Sequence, residues 1–361
     1  MTIRVLIVDD SLMAREVLRD IFEGQEDFVV VGEAKNGREA LVLAQEKEPT
    51  LITVDLEMPV MDGFQTIQEI MRTKAIPILV VSSVNDAENA YRAISCGAVD
   101  AVSKPSISED DQVAFIKKAR LVSQIPVIKR IRPTGGMPTL LPPLSQVVAT
   151  PVAPSVSEIS EQGGVAVCIA SSTGGPQALA ELFQGLDGNV NVPIFIAQHI
   201  SDGFASGMAH WLDGLTSLEV KVPLDGERVC ANTVYISPSE KNMTLGMDQK
   251  ICLMDAAPQD IYHPNCNVLL ESVAEVYGRN CIGVILSGMG SDGTKGLQKV
   301  LERGGITIGQ DEQSSVVYGM NHIAMQAGAV KRELPLSEIA SALRHEIVMR
   351  RNHHVGKHDV S

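Results

Sequence analysis

The stretch VILSGMGSDGTKGLQKVLERGGITIGQDE, Val284–Glu312, decides how the second half of this 361-residue chain is read. An apolar run leads into a glycine-rich loop, GMGSDG (Gly288–Gly293), and then into a helical pattern. The glycines fit the G-x-G-x-x-G spacing of a dinucleotide site. Asp311 follows a second strand-like run, ITIG, at about the distance such a site needs. The other reading is that the loop exists to carry Asp292. The rest of the chain separates the two.

Composition narrows the field. Hydrophobic residues make up 45% and charged residues 20%, with a formal net charge of -14, over a length sufficient for two domains. An acidic chain repels phosphate backbones, which argues against nucleic acid as a partner. The six cysteines are scattered without a C-x-x-C pair, which fits reduced thiols better than a disulfide framework or a zinc site. The opening MTIRVLIVDD meets two aspartates before reaching signal-peptide length, and no run approaches a membrane span. A cytoplasmic protein without membrane insertion is expected.

Residues 1–122 alternate short apolar runs (RVLIV, FVVVGEA, LITVD, IPILVVS, AVDAVSK) with stretches of helical period. This pattern predicts βαβ units and a doubly wound parallel sheet. Seven of the eighteen prolines then fall between Gln124 and Gly163, predicting an inter-domain linker over 123–162. The α/β texture returns over 163–350 with VAVCIA, VPIFIAQ, CIGVILS and GGITIG, predicting a second, Rossmann-like parallel-sheet domain. Within it, RVCANTVYISPSEKNMTLGMDQKICLMD reads as an antiparallel insertion. LPLSEIASALRHEIVMRR reads as a closing helix, and 351–361 as a disordered tail.

In the first domain the strand ends place Asp9, Asp10, Asp55, Ser82 and Lys104 at one edge, where open α/β sheets bind ligands. Converging carboxylates imply a hard cation, most simply Mg²⁺. A lysine and a hydroxyl opposite them suggest phosphoryl transfer onto Asp55. VLIVDDS, VDLEMPVMDG, VVSS and SKP resemble the motifs of a two-component receiver domain, a flavodoxin-like fold, over residues 1–122. The resemblance implies Asp55 as phosphoacceptor and Ser82 and Lys104 as switch residues. It also implies Mg²⁺ on Asp10, Asp55 and the Glu57 backbone carbonyl, with Asp9 assisting, and a histidine kinase of the chemotaxis type as phosphodonor. Many receivers carry a mobile aromatic three residues before the lysine; here that residue is Ala101.

In the second domain VAVCIASSTGGPQALAELF runs from a strand through Ser171, Ser172 and Thr173 into a helix. Such a turn presents a hydroxyl at the sheet edge, above helix N–H groups suited to an oxyanion. A nucleophilic serine needs a base, and the next strand, VPIFIAQ, ends at His199. A third strand, VILS, ends at the loop carrying Asp292. Ser172, His199 and Asp292 therefore form a candidate triad, in an order permitted because triads are defined by geometry. The dinucleotide reading is the weaker one: only about fifty residues follow ITIG, too few for paired mononucleotide-binding halves.

IASSTGGPQAL, IAQHISDGF, DGERV, YISPSEKNM, GVILSGMGSDGTKG and VVYGM resemble the catalytic domain of the chemotaxis protein-glutamate methylesterases, the CheB family. The resemblance implies Ser172 as nucleophile, His199 as base and Asp292 as orienting acid, with Thr173 in the active-site turn and the Met289 backbone near the oxyanion. It implies hydrolysis of glutamate γ-methyl esters on cytoplasmic chemoreceptor helices to glutamate and methanol, deamidation of receptor glutamines in some members, and no cofactor for the esterase. YHPNCN, Tyr262–Asn267, departs from the family: Asn265 stands where a serine is usual and Asn267 where an acid is usual.

Overall fold

The structure is a computed structural model of the chain, describing residues 2–106, 108–127, 164–186, 188, 190–255 and 264–355. Most of the expected linker, the segment 256–263 with Tyr262 and His263, and the final residues of the expected tail lie outside the described residues.

In the first domain five strands (β1 Ile3–Val8, β2 Phe28–Ala34, β3 Leu51–Val54, β4 Ile78–Ser82, β5 Asp100–Ser103) alternate with five helices (α1 Leu12–Glu23, α2 Gly37–Lys47, α3 Gly63–Thr73, α4 Ala87–Cys96, α5 Glu109–Ser123). The sheet order is β2-β1-β3-β4-β5, and every pairing is parallel. β3 and β4 are buried throughout, as a sheet covered on both faces requires. Polar caps start α1, α2 and α3: Ser11 accepts from Ala14 N–H, Asn36 from Glu39 N–H and Asp62 from Gln65 N–H. This strand order reverses direction between β1 and β3, so the crevice opens between Asp9 and Asp55.

The second domain holds β6 Ala166–Ser171, α6 Gly175–Gly185, β7 Ile194–Gln198, α7 Ala205–Asp213, β8 Glu219–Lys221, β9 Thr233–Ile236, β10 Lys241–Leu245 and β11 Ile251–Asp255. It continues with α8 Cys266–Tyr277, β12 Cys281–Ile285, α9 Thr294–Glu302, β13 Ile306–Gln310, α10 Met320–Gln326, β14 Arg332–Leu334 and α11 Leu336–Val355. Its seven-stranded sheet runs β14-β13-β12-β6-β7-β9-β8, all parallel.

Two expectations are corrected here. Among the described residues the antiparallel part reduces to the β10–β11 pair and an isolated bridge between Arg228 and Lys250. TVYI becomes β9, fully buried in the main sheet, because its apolar residues complete the core beside β7. The closing helix continues to Val355, into the stretch expected as tail.

Helix α4 of the first domain lies on α7 of the second. Tyr91 stacks on Trp211, centroids 5.7 Å apart at 22°, and meets Phe204 edge-on at 6.2 Å. Gly207 permits the approach, since a Cβ there would lie 2.6 Å from Ala87 Cβ. Trp211, the sole tryptophan of the chain, is thereby 6% exposed.

Candidate active site

The second sheet reverses direction between β12 and β6, and β7 is the next neighbour. Three adjacent strand ends thus deliver Asp292, Ser172 and His199 to one crevice. His199 Nε2 lies 2.8 Å from Asp292 Oδ2. Nε2 is thus the ring nitrogen that faces the acid, whereas in the chymotrypsin arrangement it is Nδ1. Ser172 is held by its backbone, N–H to the Ser287 carbonyl at 3.0 Å. Among the described residues its hydroxyl makes no hydrogen bond to the imidazole.

Asp292 is 3% exposed, and its carboxylate is surrounded by donors. Oδ2 also accepts from Cys266 N–H at 2.7 Å, and Oδ1 accepts from Asn267 and Gly293 N–H, each at 3.0 Å. Cys266 and Asn267 open α8, so the positive end of that helix faces the carboxylate. Burial alone raises its pKa, but the bond and charge of His199 and the two α8 N–H groups outweigh it and hold the acid below its ordinary value. An acid kept ionised in this way is suited to fixing the tautomer of an imidazole and to stabilising an imidazolium.

The glycines of GMGSDG are accounted for by packing and turn geometry. A Cβ on Gly288 would lie 2.7 Å from Ser172 Cβ, and Gly290 and Gly293 have φ of 102° and 91°, a region that disfavours other residues. Asp311 is occupied in its own turn, accepting from the Ser314 N–H and hydroxyl. Thr173 is buried and Met289 is half exposed. The N–H groups of both donate to none of the described residues, which leaves them open to an oxyanion. Ser171 is fully buried with its hydroxyl bound to Gln198 Oε1 at 2.6 Å, a poor position for a nucleophile.

The two departures in YHPNCN have structural roles. Asn265 caps α8, accepting from Val268 N–H at 3.2 Å. Asn267 Oδ1 accepts from Gly293 and Gly296 N–H and so starts α9. The roles of Asn267, Cys266 and Gln198 were not legible in the sequence, because a capping or bracing contact across 25 or more residues leaves no local pattern.

In the first domain Asp9, Asp10 and Asp55 converge, with ligand oxygens within 4.8 Å of one another. Lys104 Nζ bridges Asp55 Oδ2 at 2.7 Å and Asp9 Oδ2 at 2.8 Å. Asp55 is 8% exposed. Its burial raises its pKa beyond what Lys104 offsets, and Asp9 adds to the rise. Lys104 is raised in turn, since the bonds to Asp55 and Asp9 outweigh its burial. Ser82 Oγ is buried without a partner among the described residues. An all-oxygen donor set beside an orphan hydroxyl and a lysine fits a hard divalent cation and a phosphoryl group. Ala101 lies buried in β5, and the aromatic of this region is Tyr91 on α4.

Residues 167–343 match the family model for the CheB methylesterase, and residues 5–116 match the response regulator receiver domain. Similar proteins include protein-glutamate methylesterase/protein-glutamine glutaminase 3 of Paramagnetospirillum magneticum, 51% identical over 94% of this chain and 95% of that one. The corresponding protein 2 of Anaeromyxobacter dehalogenans is 37% identical over 95% of this chain and 96% of that one. The solved CheB methylesterase catalytic domain of Thermotoga maritima is 36% identical, covers 51% of this chain and 98% of that one, and superposes with a TM-score of 0.49. No helix of the described residues is long and apolar enough to cross a membrane.

Proposed function

The chain belongs to the CheB methylesterase family with an N-terminal receiver domain, and from that premise we propose that it hydrolyses glutamate γ-methyl esters on chemoreceptor helices under control of phosphorylation at Asp55. The observation that carries this reading is the convergence of Ser172, His199 and an ionised Asp292 at three adjacent strand ends.

In the reaction, Ser172 Oγ attacks the ester carbonyl carbon and the His199 imidazole takes its proton. The Thr173 and Met289 N–H groups receive the developing oxyanion. Collapse expels methanol, which takes the proton from His199. Water, activated by the same imidazole, then releases glutamate and regenerates the serine. Receptor glutamine is a second substrate of the same chemistry, with ammonia leaving in place of methanol. The direct test is methanol release from methylated receptor membranes, with and without a phosphodonor. No release in either condition would refute the reading.

At the receiver, Asp10, Asp55 and the Glu57 carbonyl would hold Mg²⁺, with Asp9 beside them. When bound, the ion supplies charge neutralisation for phosphoryl transfer from a histidine kinase. The Glu57 carbonyl accepts no hydrogen bond from the described residues, as a ligand in waiting requires. Lys104 and Ser82 would hold the product.

Repression by the receiver is supported by its contacts beside the nucleophile. Lys118 Nζ on α5 lies 2.9 Å from Thr173 Oγ1 and 2.7 Å from Asp100 Oδ2. Val316 and Val317 of the esterase pack against the receiver core. A phosphoryl group adds roughly -1.5 to -2 charges, and a coupling of this kind shifts an equilibrium such as docking of the receiver on the order of 5- to 150-fold. Asp55→Asn is expected to abolish stimulation by acetyl phosphate while leaving the basal rate nearly unchanged. In the wild-type chain the same donor is expected to red-shift emission from Trp211 as Tyr91 and α4 withdraw. Stimulation without any change in Trp211 emission would show that the α4–α7 contact does not open.

A further inference from the structure

The parallel ladder between β6 and β7 ends where the chemistry begins. Its last paired residues are Ser171 and Gln198, and its last backbone bond runs from His199 N–H to the Ser171 carbonyl at 3.0 Å. The next residues are the nucleophile on one strand and the base on the other. Beyond that bond the backbone no longer fixes their separation.

Gln198 supplies the missing tie. Its amide nitrogen donates to the Ser172 carbonyl and the His199 carbonyl, each at 2.8 Å, and its Oε1 accepts from the Ser171 hydroxyl at 2.6 Å. Two carbonyl acceptors fix the amide orientation, since only NH₂ satisfies both. The side chain is 3% exposed. A Cβ on Gly175 would lie 2.1 Å from Gln198 Oε1, so the second glycine after Thr173 makes room for this amide. From the opposite flank Ser287 holds the same turn, donating to the Thr173 carbonyl at 2.8 Å and accepting Ser172 N–H on its own carbonyl at 3.0 Å.

We infer that Gln198 is a positioning residue that joins the backbones of Ser172 and His199 and sets the distance over which the serine proton is transferred. The inference rests on the triad reading above. No other uncharged side chain of this length can accept from Ser171 while donating to two carbonyls. A displacement of about 1 Å between nucleophile and base can cost on the order of 100-fold in rate, which sets the scale of the effect.

The experiment uses the full chain, stimulated by acetyl phosphate, with two readouts: methanol release, and the second-order rate at which a fluorophosphonate labels Ser172, located by peptide mass spectrometry. Gln198→Met keeps the volume and removes the amide. It is expected to lower kcat by roughly 10- to 100-fold with KM changed by less than about twofold, and to slow labelling by the same factor while the chain still melts cooperatively. Gln198→Glu is expected to be slower still at neutral pH, because an acceptor then faces two carbonyl oxygens. Ser171→Ala frees Oε1 alone, and a severalfold slower labelling still confined to Ser172 is expected. It decides the matter if the Gln198 variants do not fold.

Labelling and kcat within about twofold of wild type in Gln198→Met, or in Ser171→Ala where only that variant folds, would overturn the inference. A wild-type chain that takes the label at Ser172 but releases no methanol would refute the substrate reading instead, and the labelling rates would still decide the role of Gln198.

Discussion

Ser172→Ala is expected to reduce methanol release on the order of 10⁴- to 10⁶-fold, the range in which loss of a triad nucleophile leaves only the contribution of binding and the oxyanion site. The fold should be retained. The backbone contacts of Ser172, to Ser287, Gly175 and Gln198, do not involve the hydroxyl that is removed, so the thermal transition is expected to stay within a few degrees of wild type. The measurement is single-turnover release from methylated receptor membranes, with circular dichroism melts of the same samples. Retention of most activity would end the triad assignment. His199→Ala should fall into the same range, because removing either the base or the nucleophile disables the same step.

Asp292→Asn is expected to cost about 10⁴-fold in kcat, since the imidazole then loses the acceptor that fixes its tautomer. Here the loss is also structural. The wild-type carboxylate receives His199 and Cys266 on one oxygen and Asn267 and Gly293 on the other. An amide offers one acceptor, so one pair of donors meets an NH₂ group, and unsatisfied buried groups cost on the order of 1–3 kcal/mol each. The pH dependence follows from the sign of the shift. Asp292 is lowered from 3.8 in the folded chain. Its charged form therefore adds stability that is present at neutral pH and is lost as pH falls below the unfolded value toward the folded one. Melting temperatures of wild type and Asp292→Asn should converge over that acid range. A constant difference between them would show that the carboxylate charge is not what holds the start of α8.

The strands and helices that carry the site were legible because a sheet covered on both faces needs unbroken apolar runs, and VLIV, ITV, ILVVS, VCIAS and GVILS are such runs. The acids and hydroxyls that follow those runs could be located at strand ends for the same reason. β9 was misassigned because TVYI has strand character in either a parallel or an antiparallel pairing, and only its burial beside β7 distinguishes the two. Likewise GMGSDG fits a dinucleotide loop by spacing alone. What its first glycine admits is Ser172, more than a hundred residues away in sequence.

Residue type and periodicity determined by themselves that this chain has two parallel α/β domains, with carboxylates at one sheet edge and Ser, His and Asp at another, since apolar runs dictate strands and strand ends dictate where polar groups emerge. Only the tertiary structure decided that Nε2 of His199 faces Asp292, that the start of α8 donates to that acid, that the Gln198 amide bonds the carbonyls of both Ser172 and His199, and that Tyr91 and Lys118 of the receiver reach the esterase. Each of these is a directional contact between distant segments. Hydrogen bonds and ring packing depend on angles and ångströms that a one-dimensional pattern of polarity does not encode.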